Sequence, residues 1–550
     1  MKPISIFEKN LLNLNQESEN WSGIAPIKIP YFQRKYRWDE KNWNVSIESF
    51  KKIYNGENYF MGSLILEGSN LGFLEIIDGQ QRITTLAIFL QVLADKFGKE
   101  QSIENLFIKK IQHNCVDKNV FNKIIKKEYK SDQEYNKKYK KGYKISQVEK
   151  CYDYFGLKID EQKDDVFTKE NVDKFFNNFS QIIFAVILLN GHNQQQIFDT
   201  LNTNSVSLTQ AELIKNHLFK DNEELWREKW QKVFEEGGES KYWQTKVGSK
   251  ENIDRFLLSL YYSNRSGNNQ PIKDDELLLC YKNGNREEWI DKINKNHNNF
   301  RENINCEILN EEIKIDKLTN FKTLMLFIFA FEFYVAIPYL FYLCDKPEKE
   351  EVAKYLEKFL IRRWICDYEI RSYNKLFSEL IANKVDTLVE IQNKLTIERD
   401  PDRKNPKTIP NDKNFENIFL EKEFSNKMAR FVLYRIEISL RSKDDRASLS
   451  DKTIQPWNLL NTKNKLSLEH INPISDEKDF TYTIGNMTLL TGSKNSAFSN
   501  KKWIDKRKLF KDKTKNILIM EDYIDENLDD ESIIKDRTKW LFGKAKELWA

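Results

Sequence analysis

With 550 residues, the chain is several times longer than a usual domain of ~100 to 200 residues, so a multidomain protein with two large units is expected. A hydrophobic share of 40% argues against long disorder, and only 18 glycines and 11 prolines argue against a turn-rich β protein. The 88 basic and 84 acidic residues nearly cancel, so net charge neither indicates nor excludes a nucleic-acid partner.

The six cysteines are scattered and form no C-x-x-C pair, which disfavours a zinc ribbon or a disulfide framework. The first residues, "MKPISIFEKNLLNLNQ", lack the apolar core of a secretory signal. A cytoplasmic location is therefore expected.

The first hundred residues mix strand and helix signals. Short strands are predicted for "APIKIPYF", "YFMGSLIL" and "GFLEII", and the last of these ends at Asp78-Gly79. From Thr84 the stretch "TTLAIFLQVLADKFG" has helical apolar spacing that stops at Gly98. A strand, a tight polar turn and a helix are expected to follow one another here.

The turn in "EIIDGQQRITTL" has the chemistry of a phosphate site. Free backbone N–H groups at a helix start attract phosphate, Gly79 allows close approach, and the Arg82 guanidinium can grip two phosphate oxygens. These features make a nucleotide site credible, although G-x-x-R alone is a common pattern.

The middle of the chain has mostly helical patterns. Residues 101–180 are helical and lysine-rich, and their most charged stretch favours a solvated face or mobile loop over a DNA-binding arm. Residues 180–189 have a buried-strand pattern, and Thr209 and Glu212 have the spacing of a capping box.

One apolar segment, residues 324–344, is long enough to span a bilayer. Glu332 lies near its middle and Pro338 would break one continuous helix, so a buried helix or helix pair is the preferred interpretation. A membrane-associated effector is the alternative that rests on this segment alone.

Near the C-terminus, Glu469 and His470 follow a short alternating apolar run and precede Pro473. A carboxylate beside an imidazole could be a metal site, a general base or neither. Hydrolysis of a phosphodiester needs an activated water and a cation, and an imidazole can accept the proton of water at neutral pH. Consecutive residues of a flat strand point to opposite faces, so both could serve one cleft only if the strand bends before Pro473.

Downstream, Asn486 follows His470 by 16 residues and Asn495 follows by 9 more. The E-H, G-N, N pattern on a strand, loop and helix resembles the HNH (ββα-metal) endonucleases. The resemblance implies that His470 is the general base, that Glu469 and Asn495 hold a metal ion, and that Asn486 holds the loop and orients the imidazole. Without a nearby cysteine or second histidine, Mg²⁺ or Mn²⁺ is favoured over zinc.

Basic residues crowd the sequence after this pattern. A charge run is usually a solvated face, but these cations flank a site that would receive a polyanion, so phosphate contact with salt-dependent binding is expected. The predicted DNA-binding residues are Lys494, Lys501, Lys502, Lys506 and Arg507, with Lys508 beside them.

Two further N-terminal stretches, "IPYFQRKYRW" and "FDTLNTNSVSLTQAELIKNHLF", together with D-G-Q-Q-R, resemble the N-terminal domain of the GmrSD family of type IV, modification-dependent restriction enzymes. That domain is similar to the ParB/sulfiredoxin fold, whose G-x-x-R turn binds nucleotide phosphates. The resemblance makes Asp78 and Arg82 the nucleotide-handling pair, with Asp78 in the catalytic role. Ser205 stands where the family usually has glycine, which leaves the shape of that loop open. The other residues expected to bind nucleotide are Gln33, Arg34, Gly79, Gln80, Gln81 and Asn202.

Together these patterns predict a predominantly helical α+β protein. A ParB/sulfiredoxin-like α/β domain is expected at 1–220, a helical domain at 221–395, a linker at 396–414, and an HNH nuclease domain with helical flanks at 415–550.

The predicted function is cleavage of double-stranded DNA, in particular modified phage DNA, under the control of a nucleoside triphosphate. Hydrolysis of that triphosphate (GTP, UTP, CTP or ATP) is part of the hypothesis. One HNH site would cut one strand, so double-strand cleavage would need two chains, as in a homodimer. The alternative is a nucleotide-switched, ParB-like DNA-binding protein with an inactive HNH scaffold.

Overall fold

The structure is a computed structural model. It describes residues 5–10, 26–68, 73–104, 107–114, 117–129, 146–161, 167–178, 181–189, 209–236, 239–265, 270–273, 276–304, 308–310, 317–399, 404–443, 467–490, 500–513 and 518–550.

Helices predominate and the sheets are small, so the chain has the α+β composition that its sequence predicts. It forms two compact units, Met1–Gln231 and Lys232–Ala550. The finer partition, with boundaries near 220, 395 and 414, stays a prediction.

The first unit is organised around a five-stranded sheet in the order β1-β5-β3-β4-β2. The β1–β5 and β3–β4 pairs are antiparallel, whereas β5–β3 and β4–β2 are parallel. Three of the expected strands are confirmed, and the fourth, in "APIKIPYF", shrinks to two residues. The strands are β1 (Ser5–Asn10), β2 (Ile27–Lys28), β3 (Tyr59–Gly68), β4 (Leu74–Asp78) and β5 (Ile182–Leu189).

The central helix of the first unit, α2, is buried along most of its length. It begins at Gln80, four residues before the predicted start, because Gly79 at φ +100° turns the chain directly from β4 into the helix. It ends, as expected, at a left-handed Gly98. The helices of this unit are α1 (Glu40–Tyr54), α2 (Gln80–Phe97), α3 (Glu100–Glu104), α4 (Lys118–Ile125), α5 (Gln147–Glu161), α6 (Val172–Asn177), α7 (Gln210–Phe219) and α8 (Glu223–Trp226), with a 3₁₀ turn at Phe107–Lys110.

The predicted capping box at the start of α7 is confirmed. The Thr209 hydroxyl accepts a hydrogen bond from the N–H of Glu212, and the N–H of Thr209 donates to the Glu212 carboxylate. The most charged part of the lysine-rich stretch, residues 130–145, lies outside the described residues.

A π-helical segment, Arg227–Glu235, spans the boundary between the units, and the second unit is then mainly helical. Its helices are α9 (Glu239–Trp243), α10 (Asn252–Asn264), α11 (Leu277–Lys282), α12 (Arg286–Asn303), α13 (Asn320–Ala330), α14 (Ile337–Leu343), α15 (Lys349–Ile365), α16 (Tyr373–Ala382), α17 (Leu388–Lys394), α18 (Asp412–Glu421), α19 (Asn426–Lys443), α20 (Trp503–Lys513), α21 (Leu518–Glu521) and α22 (Glu531–Leu548).

Short strands and 3₁₀ turns connect these helices. The strands pair as β6 (Lys246–Val247) with β7 (Lys250–Glu251), β8 (Thr396–Ile397) with β9 (Thr408–Ile409), and β10 (Ser467–His470) with β11 (Met487–Leu490). The 3₁₀ turns are Ile308–Asn310, Tyr334–Ala336, Ile474–Asp476 and Ile484–Asn486.

The apolar segment 324–344 forms the predicted helix pair. Helix α13 ends at Ala330, Glu332 adopts a left-handed backbone at φ +62°, and Pro338 occupies the first turn of α14, where it costs no hydrogen bond. Among the described residues, the structure has no helix with the length and apolarity needed to cross a membrane.

The stretch predicted as a linker, 396–414, packs into the second unit through two buried arginines of α15. Arg362 donates to the carbonyl of Pro410 and to Asp412, and Arg363 donates to the carbonyls of Asn405 and Thr408. Both arginine side chains are fully buried. These bonds satisfy main-chain acceptors that would otherwise need water, so the described parts of this stretch lie against α15.

Candidate functional site

The hairpin of β10 and β11 carries the Glu-His pair. Glu469 pairs with Thr488, and His470 pairs with Met487, so the antiparallel register is regular up to His470. Side chains alternate across this hairpin, which places Glu469 with Thr488 on one face and His470 on the other. The predicted bend is present, but it begins at Ile471, after the pair.

The Glu469 carboxylate is held by a lysine. Lys506 Nζ lies 2.7 Å from Glu469 Oε1 and donates to the carbonyl oxygen of His470, also at 2.7 Å. Burial raises the pKa of Glu469, and the Lys506 ammonium opposes that rise. Helix α20 therefore supplies a cation to the hairpin, through a residue that the sequence assigned to DNA.

Replacing Lys506 with methionine is expected to lower the free energy of unfolding by about 3 kcal/mol, since it leaves the buried Glu469 carboxylate without its partner. The Lys506→Met/Glu469→Gln double variant should lose much less, because neither charge is then stranded. Urea denaturation of the four members of this cycle measures the coupling. Additive losses would contradict a specific ion pair.

The His470 imidazole has an unused nitrogen. Its Nε2 atom is buried and has no hydrogen-bond partner among the described residues. Burial lowers the pKa of His470, and the nearby Lys506 charge lowers it further. The neutral imidazole is therefore favoured at pH 7, in the form that can accept a proton.

Asn486 is fully buried and ties the loop after His470 together. Its Oδ1 accepts from the N–H of Asn472, and its amide nitrogen donates to the carbonyls of Asn472 and Thr481. The N–H of Ile471 also donates to the Asn486 carbonyl. Among the described residues, the hydrogen bonds of the Asn486 side chain are to the loop and not to the His470 imidazole. Asn486 would therefore influence the position of His470 through the main chain.

Helix α22 fixes the turn before Asn486, a contribution that local pattern gave no reason to expect. A Cβ on Gly485 would lie 2.5 Å from the Ile534 carbonyl oxygen, so only glycine allows this approach. Arg537 is fully buried, and its guanidinium donates to the carbonyls of Gly485 and Met487. An arginine spaced along an amphipathic helix would normally be assigned to solvent.

The predicted DNA-binding residues separate into two groups. Lys501, Lys502 and Lys508 are exposed, and Arg507 is partly buried in an ion pair with Asp525 at 2.6 Å. Lys506 corrects the prediction, because it lies one helical turn from the buried Trp503 and is itself only 1% exposed. Its ammonium cannot reach a phosphate in this arrangement. Lys494 and Asn495 lie outside the described residues.

The oxygen donors of the hairpin suit a hard divalent ion. Lys506 contacts Glu469 Oε1, and no described residue forms a bond with Glu469 Oε2. The Thr488 hydroxyl, on the same face of the hairpin, is buried and has no partner among the described residues. Carboxylate and hydroxyl oxygens are ligands that Mg²⁺ accepts. No cluster of three or more His, Cys, Asp or Glu side chains suited to a metal occurs within the described ranges.

In the first unit, the turn between β4 and α2 brings Asp78 and Arg82 together. Arg82 Nη2 lies 2.9 Å from Asp78 Oδ2 and donates to the carbonyl of Ser63 at 2.6 Å. A Cβ on Gly79 would lie 2.5 Å from a Leu64 methyl, and one on Gly62 would lie 2.9 Å from Arg82 Nη1. Gly62 on β3 and Gly79 in the turn therefore leave room for the Arg82 guanidinium and for its neighbour Leu64. No side chain caps the start of α2, so its N–H groups are suited to an anion.

The predicted glutamines brace the loop 33–38 more than they line a pocket. Gln81 Oε1 accepts from the N–H groups of Arg37 and Trp38, Gln80 Nε2 donates to the Arg34 carbonyl, and Gln33 Nε2 donates to the Ile77 carbonyl. All three glutamines are buried. Gln33 thus has the buried partner that an amide inside an aromatic run requires.

Three arginines and two carboxylates gather beside this turn. Arg37 pairs with Glu212 at 3.2 Å, and Arg34 interacts electrostatically with Glu212, Arg37 and Asp78. Burial is the main reason why the pKa of Arg34 is lowered. Arg37 and Glu212 were not predicted as site residues, although both lie in the quoted stretches. The three arginines exceed the two carboxylates, Asp78 and Glu212, by one positive charge, a surplus that suits an anion. Asn202 and Ser205 lie outside the described residues.

Asp117 also stabilises the loop 33–38, through the main chain of Tyr36. Its Oδ2 accepts from the N–H of Tyr36 at 2.6 Å, and burial raises the pKa of Asp117 to about 6. A raised carboxyl pKa means that ionisation destabilises the fold once the pH exceeds the unfolded value of about 3.8. The cost is therefore complete above pH 6 and absent below about pH 4.

Asp117→Asn is accordingly expected to raise the free energy of unfolding by up to about 3 kcal/mol at pH 7, since asparagine keeps the acceptor and removes the charge. Urea denaturation at several pH values measures the difference from the parent protein. The gain should fade as the pH falls from 6 to 4, and a gain independent of pH would contradict the buried carboxylate as its cause.

Family models match the chain in two ranges, one N-terminal and one C-terminal. Residues 9–219 match the model of the GmrSD restriction endonuclease N-terminal domain, and residues 409–544 match that of the GmrSD restriction endonuclease C-terminal domain. The two matches cover more than half of the chain. Comparison with curated proteins finds no match.

Proposed function

Because the chain belongs to the GmrSD restriction endonucleases and carries both their N-terminal and C-terminal domains, we propose that it is an HNH-type, type IV endonuclease that cuts modified foreign DNA under the control of a nucleoside triphosphate. The domains indicate an endonuclease with DNA as its substrate. The observation that carries the proposed HNH chemistry is His470 on the hairpin beside Glu469, whose Nε2 is buried and has no hydrogen-bond partner in the part of the chain that the structure describes.

In the proposed mechanism, His470 accepts the proton of the attacking water. The lowered pKa of His470 keeps the imidazole neutral, and its buried Nε2 is free of competing bonds within the described structure. Asn486 fixes the loop on which the next residues lie, and Lys506 holds Glu469 in one orientation. Glu469 Oε2, with Asn495 as the proposed second ligand, would hold Mg²⁺ or Mn²⁺, which when bound offsets negative charge on the scissile phosphate.

The proposed role of the first unit is to bind the triphosphate, with Asp78 and Arg82 handling its phosphates. Support comes from the uncapped start of α2, the glycines on both sides of Arg82, and the local excess of arginines. Asn202 stays part of this proposal. The glutamines at 33, 80 and 81 contribute by holding the loop that carries Arg34 and Arg37.

The test is a digestion panel. Purified protein is incubated with modified and unmodified phage DNA, with Mg²⁺ or Mn²⁺, and with each of GTP, UTP, CTP and ATP. Cutting should require the metal, should be abolished by EDTA, and should favour modified DNA. Absence of cutting in every combination would refute the proposal.

Arg82→Ala should remove the nucleotide dependence, with Lys96→Ala as the matched control. Lys96 lies on the same helix but pairs with Asp160 on the surface. Unchanged nucleotide dependence of cleavage in Arg82→Ala would contradict the proposed phosphate site. It would not contradict the proposal that the protein cuts DNA.

The alternative, a nucleotide-switched DNA-binding protein with an inactive hairpin, is favoured by two observations. Glu469 and His470 lie on opposite faces of the hairpin, and the bend that would turn both into one cleft begins only after them. Lys506 already neutralises the carboxylate that would hold the metal. That alternative predicts nucleotide-dependent DNA retention without nicks, and retention that is indifferent to Glu469→Ala. The same gels distinguish the two hypotheses.

A further inference from the structure

The second unit contains a cavity of about 310 Å³ that the cleavage site does not use. It lies between one face of α10 and one face of α16, at the break between α13 and α14. Ligand pockets typically measure ~300 to 1,000 Å³, so this volume suits a small molecule of about nucleobase or nucleoside size.

The walls of the cavity suit a flat ring. Leu258 and Phe377 supply apolar surface, and Tyr334 presents an aromatic ring. The ring is held in place because the Arg255 guanidinium stacks on it at 4.4 Å, and because a Cβ on Gly248 would approach it to 2.8 Å. A ring fixed in this way can stack on a planar ligand without losing side-chain entropy.

Two polar side chains of the cavity have no bonding partner among the described residues. Glu332 and Asn374 both line it with exposed side chains, and neither has a hydrogen bond or ion pair with a described residue, so both can exchange bonds with water for bonds with a ligand. Glu332 has a left-handed backbone at φ +62° because it directly follows the end of α13, where the N–H of Phe333 donates to the Ile328 carbonyl, as is common at helix C-termini. A carboxylate accepts N–H donors, whereas an amide both donates and accepts.

From these features we propose that the cavity binds a nucleobase with an exocyclic amine. Glu332 accepts hydrogen bonds from the amine, Asn374 contacts the neighbouring edge, and the base stacks on Tyr334. Adenine, cytosine and guanine carry such an amine, but thymine does not. The inference rests on the proposed function, which supplies the source of the base: a nucleotide extruded from DNA or a free nucleotide.

Calorimetric titration of the full chain with the four deoxynucleosides tests the site. Nucleosides carry no phosphate, so the Arg82 turn does not contribute, and deoxyadenosine, deoxycytidine or deoxyguanosine should bind more tightly than thymidine. Glu332→Gly should weaken binding about tenfold to a hundredfold, because it removes a charged acceptor. Asn374→Ala should weaken it about threefold to tenfold by loss of a neutral hydrogen bond.

The matched control is Lys384→Gly. Lys384 also has a left-handed backbone, at φ +53°, and is exposed outside the cavity lining. Glycine relieves the same strain at both positions, so neither variant should unfold the protein. Absence of nucleoside binding, equal binding of thymidine, or equal affinities in Glu332→Gly and Lys384→Gly would overturn the proposal.

A fluorescence assay then identifies the source of the base. Duplex DNA containing one 2-aminopurine is added in EDTA, so that no cutting occurs. A rise in fluorescence that Glu332→Gly abolishes indicates an extruded DNA base, whereas nucleoside binding without that rise indicates a free nucleotide. A protein that cuts DNA but binds no nucleoside refutes only this inference, and one that binds nucleosides through Glu332 but never cuts refutes only the proposed function.

Discussion

His470→Ala is expected to lower the rate of DNA cleavage by about a hundred to ten thousandfold, which is the usual contribution of a general base. The imidazole Nε2 is buried and unpartnered among the described residues, and the pKa of His470 is lowered, so the side chain is held ready to accept a proton. The measurement is the initial rate of nicking of a modified supercoiled substrate at saturating metal. Binding of that DNA in EDTA should change little.

His297→Ala is the matched control for that prediction. His297 is also in the second unit, but its ring contacts Phe234 and lies on α12, apart from the hairpin in sequence and structure. Free imidazole should partly restore cleavage to His470→Ala if the lost group is a base, since the small ligand can occupy the space left by the ring. Undiminished cleavage by His470→Ala would refute the assignment of the base.

The turn at Gly79 shows how far local pattern reaches. The order of strand, glycine and helix could be predicted because each element depends on neighbouring residues. The partners of Gln33, Gln80 and Gln81 could not, because they lie more than 40 positions away along the chain. The identity of a polar residue in a motif does not show whether its side chain contacts a ligand or stabilises a loop. Only the tertiary structure distinguishes these two roles.

Lys506 illustrates the same limit at the C-terminal site. A run of lysines and arginines predicts a solvated or phosphate-binding face, and the exposed Lys502 and Lys508 fit that pattern. Helical spacing from Trp503 could have indicated that Lys506 lies on the buried face. Its pairing with Glu469 depends on how α20 packs against the hairpin, which the charge run does not encode.

Composition also misrepresents the stretch at 396–414. Three prolines and dense charge predict an exposed connection, yet Arg362 and Arg363 reach its carbonyls from α15. The first strand of the sheet, Ser5–Asn10, was not predicted either, since its pairing with Ile183–Leu188 joins residues that are far apart in sequence. Long-range pairing accounts for both differences, whereas the helix pair at 324–344 followed from Glu332 and Pro338 alone.

Asn486→Ala is expected to lower the free energy of unfolding by about 3 to 5 kcal/mol and to abolish cleavage. The side chain makes three buried hydrogen bonds, and its removal strands the main-chain N–H and carbonyl of Asn472 and the carbonyl of Thr481. Because the Asn486 carbonyl also accepts from Ile471, disorder at this position reaches the residue after His470. Urea denaturation measures the stability, and amide hydrogen exchange at Ile471 and Asn472 should become faster.

Thr483→Ala is the control for this prediction, because it removes one partly buried hydrogen bond, to the Phe480 carbonyl, from the same loop. It should cost about 1 kcal/mol and leave cleavage nearly unchanged. Asn486→Asp keeps the acceptor for Asn472 but loses both donated bonds and buries a charge, so it should be no better than alanine. If Asn486→Ala keeps parental stability and slow exchange but no longer cuts, Asn486 acts on the reaction directly, and its assignment as the residue that holds the loop is wrong.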